Sequence, residues 1–407
     1  MDQWQAVISH EVPKWKDKFA IVGIGDTEYS RKSGVSTTVL GLEAAKKAAE
    51  DAGLKPRDID GMIEGMRGKG PSNEEFQVAF GHEHLRFFSR ALAGGAGGIF
   101  AIQTAMAALS AGLCNYVMIT YAMNGSSESR LGAKMNVDMG TIQGGELVYQ
   151  VQNWYLPFGL QVTGTVYSFV CRRFMHDYGL TRRQLGALPV AWRKHAHTNP
   201  KALMRGRPLT IEDYMNSPIL IDPFCRWDFS LQSDGGAAFI LTTTERAKDL
   251  KQTPAKIMGV GVSHPSFPNN VFARRELPWG AKWAGPIAYK MSGVSPKEIE
   301  FCELYDGFTF VGMVQLPSLG FCKAEEAGEW CQNGRIELGG ELPTNTHGGL
   351  CSEAHVGGWN SIVEAVRQLR GVRGDGQVKK KNGSICEIGM VTGAGDLGDG
   401  AVAILRR

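Results

Sequence analysis

The sequence predicts an α/β protein made of two related halves, and three observations carry that reading. Short β-branched runs alternate with amphipathic helical stretches, the pattern of strand–helix layers joined by right-handed crossovers. A turn-and-strand unit then recurs, with Pro56, Ile59 and Asp60 matched by Pro296, Ile299 and Glu300 at a constant offset of 240. Finally, 407 residues exceed one ordinary small core, so two domains or a duplicated one is the natural architecture.

The elements follow in order. Phe19-Ala-Ile-Val-Gly-Ile-Gly25 suits a buried strand. Leu40, Ala44, Ala48 and Ala52 share one face of a helix from about Thr37 to Ala52, and Gly53 stands where a C-cap belongs. The turn at Pro56 leads into a strand at Gly61–Gly65. Gly94–Gly98 then opens an apolar helix running to Ala111, with a strand at Tyr116–Thr120 behind it. The second copy reads as Gly285–Gly293, the turn Val294–Glu300 and a strand at Phe301–Tyr305. A glycine-rich loop at His347–Gly358, a helix at Ser361–Leu369 and a strand at Ile385–Val391 complete it. Between the copies, Gly125 to Asp213 is rich in Arg and in large side chains (Tyr149, Trp154, Tyr155, Met175, Trp192). An insertion this long suits a lid or dimer element, or else a helical buttress. The expected division is residues 1–124 with 214–250, an insertion at 125–213, and a second half at 251–407.

Composition excludes several classes. Forty-four Lys and Arg oppose 41 Asp and Glu, and no basic stripe of the kind that binds nucleic acid is visible. Lys379–Lys381 beside Asn382-Gly383 reads as a solvated turn. The longest apolar run, near Ala105–Ala122, is broken by Ser110, Gly112 and Asn115 and is too short to span a bilayer. The first residues lack the apolar segment of a signal peptide. Eight scattered cysteines without CxxC or zinc-like spacing suggest buried thiols in a reducing compartment and no metal site. A cytoplasmic protein without membrane contact is expected.

Five ordered blocks then bring in a family. Ile21–Gly25, His195-Ala-His-Thr-Asn-Pro200, Ser233-Asp-Gly-Gly-Ala-Ala238, Glu303-Leu-Tyr-Asp-Gly-Phe-Thr309 and Asn345-Thr-His-Gly-Gly349 resemble the sterol-carrier-protein-x type of thiolase, the lipid-transfer proteins. The resemblance covers nearly the whole chain. It implies the thiolase fold: two similar βαβαβαββ halves forming a five-layered αβαβα core with a large loop insertion. It also implies an acyl-CoA ligand and a homodimer.

The departures direct the chemistry. Thiolases of this type carry a nucleophilic cysteine in a Cys-Ala-Ser-Gly segment at a helix start, where N–H groups activate the thiol. The matching segment here is Gly95-Ala-Gly-Gly98, and the second family cysteine is also missing, before the run Val391-Thr-Gly-Ala-Gly395. The first catalytic loop begins with Tyr305 in place of Asn or His. The loop histidine survives as His355, seven residues after Gly348. This combination resembles the bacterial steroid side-chain aldolases, in which a second tyrosine stands at the position of His355. That resemblance implies retro-aldol cleavage of a bulky β-hydroxyacyl-CoA to a ketone and a short acyl-CoA. It further implies a small zinc-ribbon/OB-fold partner in a heterotetramer, and no cofactor beyond the CoA of the substrate.

Such a cleavage needs a base for the β-hydroxyl and donors for the enolate oxygen, but no nucleophile. His355 titrates near neutrality without much tuning and is the first candidate for base or acid. Tyr305 is its hydroxyl-bearing partner, and His347 the third catalytic candidate, at the oxyanion site. Gly95, Gly97, Gly98, Gly348, Gly349 and Asp306 complete the expected substrate-binding set, Asp306 more as a brace of its loop. Two other readings stand beside the lyase: an acyltransferase using Cys351 as a displaced nucleophile, and a non-catalytic acyl-CoA-binding scaffold.

Overall fold

A computed structural model of the chain describes residues 11–66, 68–91, 94–127, 156–159, 163–264, 280–395 and 398–407. Its first half contains β1 (Phe19–Asp26), α1 (Thr37–Ala52), β2 (Gly61–Glu64), β3 (Phe87–Arg90), α2 (Gly97–Ser110) and β4 (Val117–Asn124). The insertion supplies α3 (Thr163–Tyr178), α4 (Ala187–Thr198) and a two-stranded ribbon, β5 (Ile219–Ile221) with β6 (Phe224–Cys225). β7 (Asp234–Thr243) closes the first half. The second half runs through β8 (Ala255–Ser263), α5 (Ala281–Ser292), β9 (Phe301–Glu303), α6 (Thr309–Ser318), α7 (Trp359–Arg370), β10 (Ile388–Gly395) and β11 (Asp399–Arg406).

The strands lie in the order β3-β2-β4-β7-β1-β8-β11-β10-β9. The halves join where β1 meets β8, at Ala20↔Lys256 and Ile21↔Ala255. Helix α1 covers β1, β4 and β7, and α5 covers β8 and β11; α2 and α7 touch strands of both halves. The result is the expected α–β–α–β–α stacking. Its hydrophobic core divides accordingly. One cluster lies around α2 and α7 against strands of both halves, one lies under α1, and one lies under α5 and α6 with the insertion helices.

Both halves use one packing device. Gly23 and Gly25 on β1 lie against the carbonyls of Ala48 and Ala44 of α1, and Gly259 and Gly261 on β8 lie against those of Ala288 and Ala284 of α5. A Cβ at any of the four would overlap helix backbone, so Gly-x-Gly opposite alanines sets the close strand–helix approach. Each helix also ends on a left-handed glycine, Gly53 (φ 76°) and Gly293 (φ 72°), 240 residues apart as the turn motif is. The copies differ at one edge. Among the described residues, a single bridge beyond β9, Cys302↔Thr344, occupies the place that β3 takes in the first half.

The described part of the insertion buttresses the second half. Phe174 of α3 packs edge-on against Phe310 of α6 at 5.5 Å, and the indole of Trp192 on α4 donates to Thr344 Oγ1 at 2.9 Å. Tyr149, Trp154 and Tyr155 lie outside the described residues. The expected boundary at 213 falls within the helix Ile211–Asn216, and the ribbon follows before β7. Among the described residues no helix is long and apolar enough to cross a membrane.

Candidate active site

Two loops and one helix start converge where the halves meet. Tyr305 follows β9. Its backbone N–H donates to Thr392 Oγ1 of β10 at 3.0 Å, and its carbonyl accepts from Gln315 Nε2 of α6 at 2.9 Å. Position 95, at the turn into α2, lies directly beneath the Tyr305 ring: a Cβ there would overlap Tyr305 Cζ and Cε2 and the Ala394 carbonyl. The tyrosine ring thus fills the space that a side chain at 95 would occupy. Gly358 and Gly307 wall the same ring, and a Cβ on either would sit within 3.0 Å of it.

His355 faces Tyr305 across this space. Its Nε2 is 3.4 Å from the Tyr305 hydroxyl and its Nδ1 is 3.3 Å from Ser230 Oγ. Ser233 fixes the histidine backbone, accepting from His355 N–H at 2.8 Å. The Ser230 N–H in turn donates to the Gly307 carbonyl at 3.1 Å, which ties β7's approach to the Tyr305 loop. Tyr305, His355 and Ser230 are all partly exposed, so the three polar groups are reachable. Burial pushes His355 down to about 4, with the charge of Lys69 adding to it. The imidazole is therefore neutral near pH 7 and free to accept a proton.

The remaining expected residues support this pair from behind. Asp306 is fully buried and accepts from the N–H of Leu350 at 2.9 Å and of Cys351 at 3.3 Å; burial raises its carboxyl to about 6. It braces the loop and is not placed to bind substrate. Gly348 and Gly349 have positive φ (109° and 67°) and pack against Ala196 and against Asp306 and Asn345. Gly98 lies against Ile362 and Trp359 of α7, and Gly97 opens α2 as a buried residue. These glycines shape the loops; of the five expected at the substrate, Gly95 alone is shown against the Tyr305–His355 pair.

His347 stands apart from the pair. Its ring is fully buried, with Nδ1 3.0 Å from Glu303 Oε2 and Nε2 3.6 Å from Glu353 Oε2. Burial alone would depress it, but Glu353 and Glu303 outweigh that and raise it to about 9. An imidazolium between two buried carboxylates neutralises the base of the loop and does not face an oxyanion. Removing it strands those carboxylates, so His347→Asn should cost about 3–5 kcal/mol in urea unfolding. The same linkage sets a pH trend. Because the folded value lies above the unfolded one, this stabilisation is complete below about pH 6.5 and should fade as pH rises through about 9. A His347→Asn variant should lose that alkaline slope.

No thiol is activated. Seven of the eight free cysteines are buried and Cys322 is partly so. Burial raises Cys114, Cys322 and Cys386 to about 12, Cys225 to about 11, and Cys171, Cys302, Cys331 and Cys351 well above the usual range. Cys351 has Asp306 as neighbour, which raises it further. A nucleophilic thiol needs the opposite environment.

Sequence reasoning missed Ser230, Ser233 and Lys69. Ser233 lay inside the Ser233–Ala238 block, which entered only as one of the five blocks of the family resemblance. Ser230 and Lys69 carry no local signal, since only the fold brings them to His355.

Comparison with known proteins agrees with this geometry. The family model "Thiolase C-terminal domain-like" matches residues 271–407. The chain is 38% identical over 361 residues to a steroid side-chain-cleaving aldolase of Thermomonospora curvata, covering 86% of this chain and 90% of the relative. It is also 38% identical over 359 residues to the 17-hydroxy-3-oxo-4-pregnene-20-carboxyl-CoA lyase of Mycobacterium tuberculosis, covering 86% and 91%. Among solved structures, the Ltp2-ChsH2(DUF35) aldolase superposes with a TM-score of 0.86 at 35% identity, over 97% of this chain and 99% of that one.

Proposed function

We propose, from the premise that this chain belongs to the thiolase-fold family of steroid side-chain-cleaving aldolases, that it cleaves the side chain of a steroidal β-hydroxyacyl-CoA by a retro-aldol step. The observation that carries the reading is the Tyr305–His355 pair standing over Gly95, in a protein whose thiols are all raised above the usual cysteine range by burial. A covalent acyl-enzyme has no nucleophile here; a proton-transfer reaction has both of its groups.

The chemistry follows from that placement. The tautomer that donates Nδ1–H to Ser230 Oγ leaves Nε2 of His355 as an acceptor facing the tyrosine hydroxyl. The Tyr305 hydroxyl relays the substrate β-hydroxyl proton to His355. The O–H electrons form the ketone C=O, the Cα–Cβ bond breaks, and its electron pair passes to the thioester as an enolate. N–H groups at the start of α2 hold the enolate oxygen, and a proton returned to Cα releases the short acyl-CoA. A neutral histidine suits the role, since it must take up a proton before it can give one back. Next to Gly307, Phe308 packs with Phe229 at 5.4 Å and Tyr167 at 4.7 Å. These rings give an apolar wall suited to a bulky ring system.

The same reading includes partners. Among the described residues β3 is a sheet edge paired to β2 alone, and Phe88 on it is 64% exposed. An apolar edge of this kind is normally covered, which supports a homodimer through β3. A small zinc-ribbon/OB-fold protein of the DUF35 type completes the assembly, by analogy with the aldolase of that composition. The eight free thiols suit the reducing cytoplasm.

The test is product analysis by mass spectrometry over a panel of β-hydroxyacyl-CoA thioesters, with and without a DUF35 partner. A C-17 ketone and a short acyl-CoA are expected from steroidal substrates. A failure to release ketone from any of them contradicts the proposal.

A further inference from the structure

A carboxylate–histidine pair stands at the end of the central sheet, and the reaction scheme leaves it unused. His264 directly follows β8 and Asp399 opens β11; Nδ1 of the ring bonds to Asp399 Oδ1. The His264 side chain is 70% exposed and that of Asp399 only 2%, so a buried carboxylate holds a ring that solutes can reach. A carboxylate accepts and does not donate, which puts the hydrogen on Nδ1 and leaves Nε2 as the position open to proton exchange.

Strand pairing does not need this bond, because the ladder between β8 and β11 is already closed one residue earlier, at Gly400↔Ser263. The first half shows a different solution at the matching place. β7 opens on Asp234-Gly as β11 opens on Asp399-Gly. The Asp234 carboxylate accepts from the N–H groups of Ser33, Ser126 and Ser127 and from the hydroxyls of Ser33 and Ser127. Those donors keep their hydrogens. The second half sets an imidazole, a group that can give its proton away, beside its aspartate.

The pair also faces the site. Ala401 and Val262 are partners across the ladder and pack into the layer around α2, so alternation along the strands turns Asp399 and His264 to that same side. Gly395 pairs with Asp399, and Gly393 on this face lies against Ala96 at the turn into α2. His264, Asp399 and Gly395 therefore form a row across three strands that ends beside the floor under Tyr305. Tyr305 approaches that floor from β9. His264 approaches from β8, two strand spacings or about 10 Å from β10.

Retro-aldol cleavage needs two proton transfers at different atoms, one off the β-oxygen and one onto Cα. Groups within hydrogen-bond reach of each atom stand roughly 8 Å apart, which is the scale of the row. Both ring nitrogens of His355 are engaged, by Tyr305 and Ser230, so its proton leads back to the oxygen side. We infer that His264, oriented by Asp399, is the acid that protonates Cα of the enolate. The C=C electron pair forms the new C–H bond with the Nε2 proton, the thioester C=O re-forms, and the short acyl-CoA leaves. The imidazole then takes a proton from solvent, and His355 gives solvent the one it took from the β-hydroxyl. His264 touches the substrate in this step, and Asp399 is a positioning residue. The inference rests on the retro-aldol reading, and its test does not require cleavage.

An acid at Cα is a base at Cα in the reverse direction. Deuterium uptake at Cα of propionyl-CoA in heavy water, read by mass spectrometry with the full chain and a C-17 keto steroid present, therefore tests it. The unmodified protein should exchange the hydrogen. His264→Ala and His264→Gln should each slow exchange at least about a hundredfold, with unchanged thermal unfolding because the ring is exposed. Asp399→Asn should slow it about tenfold, and should add nothing in a His264→Ala background, since the carboxylate acts through the ring. His176→Ala, which removes an exposed histidine paired with Asp177, should change nothing. Exchange at the unmodified rate in His264→Ala overturns the inference, as does an unmodified protein that exchanges no hydrogen, even if ketone is released. Exchange with the expected losses, but no ketone from any β-hydroxyacyl-CoA, supports the pair and counts against the retro-aldol reading alone.

Discussion

Gly95→Ala should lower the cleavage rate at least about a hundredfold while the protein still folds. The added methyl has no free volume, because the Tyr305 ring and the Ala394 carbonyl already fill it. The tyrosine side chain is the softer neighbour, so the strain moves its hydroxyl away from His355. Overpacking of this kind costs about 1–3 kcal/mol, and displacing a reacting group by about 1 Å costs about a hundredfold in rate. Steady-state kinetics with thermal unfolding in parallel separates the two effects. Gly95→Cys should behave the same way and should not gain thiolase activity. The cysteine would return to the position where the family's nucleophile stands, but Tyr305 holds that space.

His355→Ala should lower kcat by about a hundred- to ten-thousandfold, the usual contribution of a positioned acid–base group. The unmodified enzyme should show a distinctive pH profile. His355 is depressed to about 4 by its burial and by Lys69, so the base is already deprotonated at pH 5. The limb of kcat/KM that reports its protonation should lie near pH 4, with activity independent of this group from about pH 5 to 8. An acid limb near 6.5 would mean that the imidazole is as solvated as a free histidine. Lys69→Met should move the limb upward, because one of the charges that disfavour the imidazolium is gone.

These expectations depend on contacts of very different legibility in the sequence. The layered fold was readable because its signals are local: the Pro56 and Pro296 turns, the alanine face of Thr37–Ala52 and the terminal glycines Gly53 and Gly293 lie within short windows. The loss of the nucleophile was readable through the family resemblance, by comparing Gly95-Ala-Gly-Gly98 with the expected cysteine segment. That Tyr305 takes over the vacated space was not readable, since the two residues come from different halves and meet only when α2 and β9 pack. His347 shows the reverse problem. Its place beside two glycines in a catalytic-looking loop suggested an oxyanion role, but Glu303 at the end of β9 and Glu353 in the same loop close on it in the fold and make it a buried cation.

The central claim is that carbon–carbon cleavage here proceeds without a covalent acyl-enzyme, and intact-protein mass spectrometry of samples quenched during turnover tests it most directly. The protein should keep its unmodified mass at every time point while ketone accumulates. An acyl adduct on Cys351 or any other thiol, forming and decaying at the rate of turnover, would contradict it.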